Sequence, residues 1–304
     1  MFKPSVILYS YRRPQQTSEA IERLLNWEHL GKLYVSIDGL RYSASSEEST
    51  WRQETIRIAE RAAERNPSII PVVWDQNDGL TAHAIRIMDK VFQHHKSTFS
   101  LEEDNLIEND GLDFLNRALG DSCKPVIATA FSTQLHLYNQ RDIRETFFPE
   151  QWATSLTFHM FEEFLRVWHD KKIDRKVISE QFKRIYPFDV IKREIVAERW
   201  FRISKLAVND LNYGDAVMNY AALKLGIPYR APLKSFVQDL GSLNNRGLHP
   251  RNGGIKFDEH EFTPVSSKSF RFCKVCENNT NQVSGNGLGT VAKYISKTYF
   301  PLRG

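Results

Sequence analysis

Across the first 130 residues, short apolar runs of strand character alternate with longer runs of helical period. A chain with that alternation buries its apolar surface by laying helices over a mostly parallel sheet, so the expected fold class is α/β. The strand-like runs are Val6–Tyr9, Leu33–Ile37, Ile69–Trp74 and Thr98–Leu101, with a fifth at Val126–Ala130. Between them, Ile21, Leu24 and Leu25 form one helical stripe, and Ala84, Ile87, Met88, Val91 and Phe92 follow the i, i+3, i+4, i+7, i+8 spacing of another. Leu112, Leu115 and Leu119 mark a further helix before the fifth strand. Three of the first four strands run into acidic residues: Asp38, Asp75 and the run Glu102-Glu103-Asp104. Open α/β sheets bind ligands outside the carboxyl ends of their strands, so these carboxylates are expected to line one crevice.

The remainder reads differently. Residues 150–225 are expected to be largely helical, with amphipathic stretches around Phe161–Trp168, Ile178–Ile185 and Ala216–Leu225. Beyond Pro228 the chain is rich in Gly, Asn, Pro and Ser and reads as long loops. The expected organisation is therefore an α/β ligand-binding half over residues 1–130 and a helical, loop-rich half over 131–304, packed as one continuous domain. Charge follows the same division: residues 1–120 hold 14 Lys and Arg against 18 Asp and Glu, whereas 121–304 hold 27 against 19. The basic excess is densest over residues 166–205, with 12 basic and 6 acidic side chains, including Lys171 and Lys172. A solvated helical face is the plain reading of such a stretch, and a surface for an anionic partner is the other.

No run approaches the roughly 18 apolar residues of a membrane helix, and the N-terminus lacks the pattern of a secretory signal, so a cytoplasmic protein of a bacterium or a phage-infected cell is expected. Cys123, Cys273 and Cys276 are too few for a disulfide framework. The lone C-x-x-C would need His249 or His260 to complete a zinc site.

Three consecutive carboxylates after an apolar strand repel one another unless a cation compensates them, and one or two carboxylates plus phosphate oxygens are how Mg²⁺ or Mn²⁺ is normally held. A strand-end Asp38 and a helix that starts after Asn77-Asp78-Gly79-Leu80, with His83 in its first turn, supply the rest of such a site. A helix N-terminus attracts anions, and an imidazole there can donate to a phosphate oxygen. Arg12 and Arg13, after the first strand, offer fixed positive charge to the same crevice. No G-x-G-x-x-G follows the first strand, which argues against a dinucleotide enzyme with the same alternation.

Taken in order, Arg12-Arg13-Pro14, Val35-Ser36-Ile37-Asp38-Gly39, the Gly79-Leu80-x-x-His83 helix and Leu101-Glu102-Glu103-Asp104 resemble the nucleotide-diphospho-sugar transferase fold called GT-A. Within it the resemblance is to the N-acetylglucosaminyltransferase I-like group and its bacterial and phage relatives. It implies a donor set of Tyr9, Arg13, Asp38, His83, Glu102, Glu103 and Ser235, with Asp38 at the base, Glu103 at the ribose and Asp104 on the metal. Glu103 departs from the family's Asp by one methylene. Further on, Trp152 resembles the family's tryptophan beside the acceptor, and Tyr213-Gly214-Asp215-Ala216 its segment with the catalytic base, which makes Asp215 the candidate base and Asp210 the alternative. The loop over the donor phosphates maps onto Ser235, Gly247 and His249, the last also a candidate metal ligand.

The activity so implied is a metal-dependent, inverting transfer of a sugar from a nucleotide diphosphate, uridine diphosphate favoured, to an acceptor hydroxyl. Mn²⁺ or Mg²⁺ is the expected cofactor. The acceptor is first a glycan, with Trp152, Lys171 and Lys172 on its side of the site. A hydroxylated base in DNA is the alternative, and a catalytically inactive nucleic-acid-binding protein on the same fold is the reading from a different class.

Overall fold

The computed structural model describes residues 3–120, 124–130, 143–146, 153–170, 174–185, 214–232 and 235–239. Strands β1 (Ser5–Ser10), β2 (Leu33–Ile37), β3 (Ile69–Val73) and β4 (Ser97–Glu102) form the parallel half of an eight-stranded sheet. Helices α1 (Pro14–Leu25), α2 (Ser46–Arg65) and α3 (Leu80–Phe92) provide the crossovers. The short β5 (Asn105–Ile107) and helix α4 (Asn109–Leu119) follow, then β6 (Ile127–Thr129), β7 (Ile143–Thr146) and β8 (Thr154–Thr157). Helices α5 (Phe158–Asp170), α6 (Arg175–Ile185) and α7 (Gly214–Leu225) precede β9 (Tyr229–Pro232) and β10 (Val237–Asp239). The sheet order is β3-β2-β1-β4-β8-β6-β9-β7, and β10 pairs with β5 in a second, two-stranded sheet. Among the described residues only β8 and β7 run against the others in the main sheet, so the architecture is the mostly parallel α/β fold read from the sequence.

Strand periodicity explains how two layers of helices are held. Side chains alternate between faces along a strand, and in β1 Val6 and Leu8 join the core beneath α1, α2 and α4, whereas Ile7 and Tyr9 join the core beneath α3, α5, α6 and α7. With helices on both faces, the central strands are buried throughout, as parallel strands require. No helix among the described residues is long and apolar enough to cross a membrane.

The largely helical character expected for 150–225 holds for α5, α6 and α7, but β8 interrupts it and adds an antiparallel strand against both β4 and β6. Its Thr-Ser-Leu-Thr is buried at all four positions, so it shows neither the alternation of a half-exposed strand nor a long apolar run. Strands β9 and β10 fall in the stretch read as loops, for they are only four and three residues long and sit among Gly, Pro and Ser.

The exit of β2 is sterically tight. A Cβ at Gly39 would lie 2.2 Å from the main-chain carbon of Gln76, because Leu40 bridges Gln76 as the two loops cross. Asn77 Nδ2 donates to the Gly39 carbonyl at 2.8 Å across the same crossing. Gly39→Ala must therefore separate the β2 and β3 exits, and we expect a loss of about 3 kcal/mol of stability, measured by urea unfolding.

Candidate functional site

Parallel pairing brings the carboxyl ends of β1 to β4 to a common edge, and main-chain hydrogen bonds continue the pairing into the residues beyond. Asp38 N–H donates to the Ser10 carbonyl at 3.1 Å, Trp74 N–H to Ile37 at 3.0 Å and Glu103 N–H to Tyr9 at 3.0 Å. The expected crevice residues Tyr9, Arg13, Asp38, His83, Glu102, Glu103 and Asp104 are thereby gathered along one edge.

At its β2 side stands Asp38, 6 % exposed, with Oδ1 accepting from Gly39 N–H at 2.9 Å. Burial pushes its carboxyl up to about 6, against the opposing pull of the Gly39 hydrogen bond and of Arg86. Arg86, in α3, brings its guanidinium within 3.6 Å of Asp38 and 3.1 Å of Asp78, and lies 4.6 Å from the centre of the Trp74 ring. Arg52, in α2, donates from Nε to the Asp38 carbonyl and from a terminal nitrogen to the Trp74 carbonyl, each at 2.7 Å. Two arginines thus hold the Asp38 and Trp74 exits in place.

His83 is 2 % exposed and shares a 2.6 Å hydrogen bond with Ser36 Oγ, which also accepts from Trp74 Nε1 at 2.9 Å. Burial pulls its pKa down to about 4, so the ring is neutral at physiological pH. The other ring nitrogen, Nδ1, lies 3.9 Å from Asp38 Oδ2. In this place the histidine backs Asp38 as a neutral hydrogen-bonding group. Tyr9 stands behind it, its ring edge-on to His83 at 5.6 Å and its hydroxyl accepting from Ser100 at 3.1 Å.

At the β4 side the acidic run meets a cation. Arg13 forms a hydrogen-bonded ion pair with Asp104 and lies 3.6 Å from Glu103. Burial raises the Glu103 carboxyl to about 7, opposed by Arg13 and reinforced by the Asp104 charge. Arg12 turns the other way and pairs with Glu48 at 3.0 Å, where Arg41 and the Tyr11 hydroxyl also converge. These contacts hold the Glu48 carboxyl down at about 2, the Arg41 hydrogen bond first among them. Glu48 is also the third residue after the Ser45 cap of α2, whose hydroxyl accepts its N–H at 3.1 Å.

The donors at the β4 side are hard carboxylate oxygens of the kind a divalent ion takes, and Asp104 would exchange its hydrogen bond with Arg13 for the ion. No group of three or more metal-ligating side chains occurs among the described residues. An ion here would therefore be held by Asp104 together with phosphate oxygens and water. β10 pairs antiparallel with β5 and sets Asp239 opposite Asn105 and Val237 opposite Ile107, so Ser235 lies beyond Ile107, at the end of the pair away from the acidic run. Its hydroxyl donates to the Val237 carbonyl at 2.8 Å, closing a local turn.

Asp215 opens α7 and remains exposed. The protein atoms around it nonetheless raise its carboxyl above the usual aspartate range, to about 6, by desolvation. The preceding Gly214 N–H donates to Thr81 Oγ1 in α3 at 3.0 Å, which ties the start of α7 to the helix carrying His83 and Arg86. Trp152, Lys171, Lys172, Asp210, Gly247, His249, His260 and the three cysteines lie outside the described residues. Of the basic stretch, α6 exposes Lys176, Lys183 and Arg184 and buries Ile178 and Phe182, and Trp168 packs on Phe164 in the core, so its described aromatics serve packing.

No protein-family model matches this chain, and no curated protein matches it in sequence. Among solved structures it is similar to the mannosyltransferase PcManGT of Pyrobaculum calidifontis, a complex with GDP-Man and Mn²⁺, at 13 % identity and a TM-score of 0.40. That likeness covers 53 % of this chain and 46 % of the mannosyltransferase, less than half of that protein's length. A second is the 4-diphosphocytidyl-2C-methyl-D-erythritol synthase of Anaerococcus prevotii, at 12 % identity and a TM-score of 0.35, over 54 % of this chain and 76 % of that one.

Arg52, Arg86, Trp74 and Ser36 were given no role in the site from the sequence. For Arg86 a signal existed: it lies three residues after His83, on the same helical face. Arg52 lies within a helix rich in Arg and Glu and carries no such mark.

Proposed function

We propose that the chain is a nucleotide-diphospho-sugar transferase of GT-A type, acting with a divalent cation and with inversion at the transferred sugar. One observation carries the reading: the buried Asp38 and the Arg13-paired Asp104 stand at the carboxyl ends of β2 and β4, the two parallel strands that flank β1, while α3, which backs Asp38, is hydrogen-bonded to the start of the helix that bears Asp215. A base-binding carboxylate, a cation-binding carboxylate and a general base are the groups such a transfer needs.

In this reading Asp38 accepts from an N–H of the nucleobase and Arg13 attracts the diphosphate. Asp104 holds Mn²⁺ or Mg²⁺, which when bound offsets charge on the departing nucleoside diphosphate. Asp215 takes the proton of the acceptor hydroxyl as that oxygen bonds to the anomeric carbon. A uridine diphosphate sugar is the first donor to test and a glycan hydroxyl the first acceptor. Calorimetric titration with uridine and guanosine diphosphate sugars, with Mn²⁺ and then with a chelator, tests the reading. Metal-dependent binding of one donor is expected, and binding of none would overturn it.

The same titration carries a pH prediction. Asp38 ionises at about 6, and only the carboxylate offers a charge-assisted acceptor to a base N–H. Affinity for the free nucleoside, which carries no phosphate to titrate in this range, should therefore be level above about pH 7 and fall below pH 6, approaching tenfold per pH unit. Asp38→Asn should flatten that profile.

A further inference from the structure

Helices α3 and α7 lie far apart in sequence, yet their first turns touch. Thr81 and Gly214 are 133 positions apart, and the Gly214 N–H donates to Thr81 Oγ1 at 3.0 Å. The first N–H groups of an α-helix have no acceptor within the helix, and a side-chain oxygen from the residue just before it commonly serves instead. For α7 that oxygen comes from another helix. Thr81 is a firm support, being 8 % exposed and two residues before His83, which is itself locked to Ser36. The glycine matters as well: a Cβ on Gly214 would lie 3.2 Å from Thr81 Cγ2 and 3.4 Å from its Oγ1, tight enough that Thr81 would have to give by a few tenths of an ångström.

The consequence falls on the next residue. Asp215 follows Gly214 in the first turn of α7, so its carboxylate moves with that turn. At the other end of the link, the same short helix carries Arg86, whose guanidinium lies 3.6 Å from Asp38. We infer that Thr81 is a positioning residue: its hydroxyl caps α7 from the nucleotide side of the crevice and fixes where Asp215 stands relative to the bound sugar nucleotide. The inference rests on the proposed role of Asp215 as general base. A displacement of about 1 Å at a reacting group costs up to about a hundredfold in rate. The effect of losing the cap is expected on turnover more than on donor affinity, because the hydrogen bond that is lost is the one to the start of α7.

The test uses the full chain and three probes, UDP-glucose, UDP-N-acetylglucosamine and GDP-mannose, each with Mn²⁺ and with water as acceptor. Water oxygen bonds to the anomeric carbon, the bond from that carbon to the diphosphate oxygen breaks, the water proton passes to Asp215 and the nucleoside diphosphate leaves. Thr81→Val keeps the shape and removes the acceptor, and should lower kcat about tenfold to a hundredfold with KM unchanged. Thr81→Ser keeps the oxygen and should restore kcat to within about twofold of the unaltered chain. Gly214→Ala, which presses on Thr81, should repeat the kcat loss and keeps the test open if Thr81→Val does not fold. Equal losses in Thr81→Val and Thr81→Ser, a change in KM alone, or an unchanged Gly214→Ala would overturn the positioning role. Asp215→Asn separates the two ideas: if it is inactive while Thr81→Val is unchanged, only the positioning role fails. If Asp215→Asn turns over normally, or the unaltered chain releases no nucleotide from any probe, the underlying reading fails and takes the inference with it.

Discussion

Asp215→Asn should lower turnover by about 10²–10⁴ while the sugar nucleotide binds as before, the loss typical of removing a general base. The amide keeps the size of the side chain and cannot accept the acceptor's proton. Asp215 is exposed, and desolvation raises its carboxyl to about 6. A base with that pKa is mostly ionised at pH 7 and still holds a proton more strongly than an ordinary aspartate. In the unaltered chain kcat should accordingly fall as pH drops through 6, where the carboxylate becomes protonated. The substitution keeps the size of the side chain at an exposed position, so the fold should survive it. Unfolding followed by circular dichroism should show a folded variant, with single-turnover release measuring the chemical defect. A variant with normal turnover would remove Asp215 from the chemistry.

The parallel half of the fold was legible because its signals are local and repeated. The β1 and β2 runs are buried end to end, the α3 stripe buries Ile87, Met88, Val91 and Phe92 as its spacing required, and Pro14 opens α1. The second half of the sheet was not. β8 is short and buried on both faces, and β9 pairs with β6 at a single register position, so its existence depends on partners distant in sequence and on no pattern of its own.

The site divides in the same way. Asp38 and Asp104 were readable because a carboxylate just past a strand end has a known direction in a parallel sheet. The burial that makes His83 neutral was hidden, since the sequence places it on a first helical turn without saying that Ser36 and Tyr9 enclose it. Arginine pairing was hidden too. Arg12 and Arg13 are adjacent, yet one serves Glu48 and the other Asp104, a choice made by the divergence of neighbouring side chains at the β1 exit.

Asp104→Ala should abolish the Mn²⁺ dependence of donor binding and leave the fold intact. Both halves follow from what surrounds the carboxylate. Removing one member of a buried ion pair is strongly destabilising when the other charge is stranded. Here Arg13 is not stranded, because Glu103 stands 3.6 Å from the same guanidinium and already draws it. Loss of Asp104 also removes a neighbouring negative charge that helps raise Glu103 to about 7, so repulsion within the run eases as the pair is lost. The two changes offset, and the stability cost should stay near 1 kcal/mol, against several kcal/mol of cation-dependent stabilisation forfeited at the diphosphate. Titrating the parent with donor should give an affinity at least about a hundredfold higher with Mn²⁺ than with chelator, whereas the variant should give one value under both conditions. A variant that keeps its metal response would move the cation elsewhere in the crevice. A variant that unfolds would make Asp104 a structural partner of Arg13, and Asp104→Asn, which retains a hydrogen-bond acceptor for the guanidinium, would then separate the lost pairing from the lost cation.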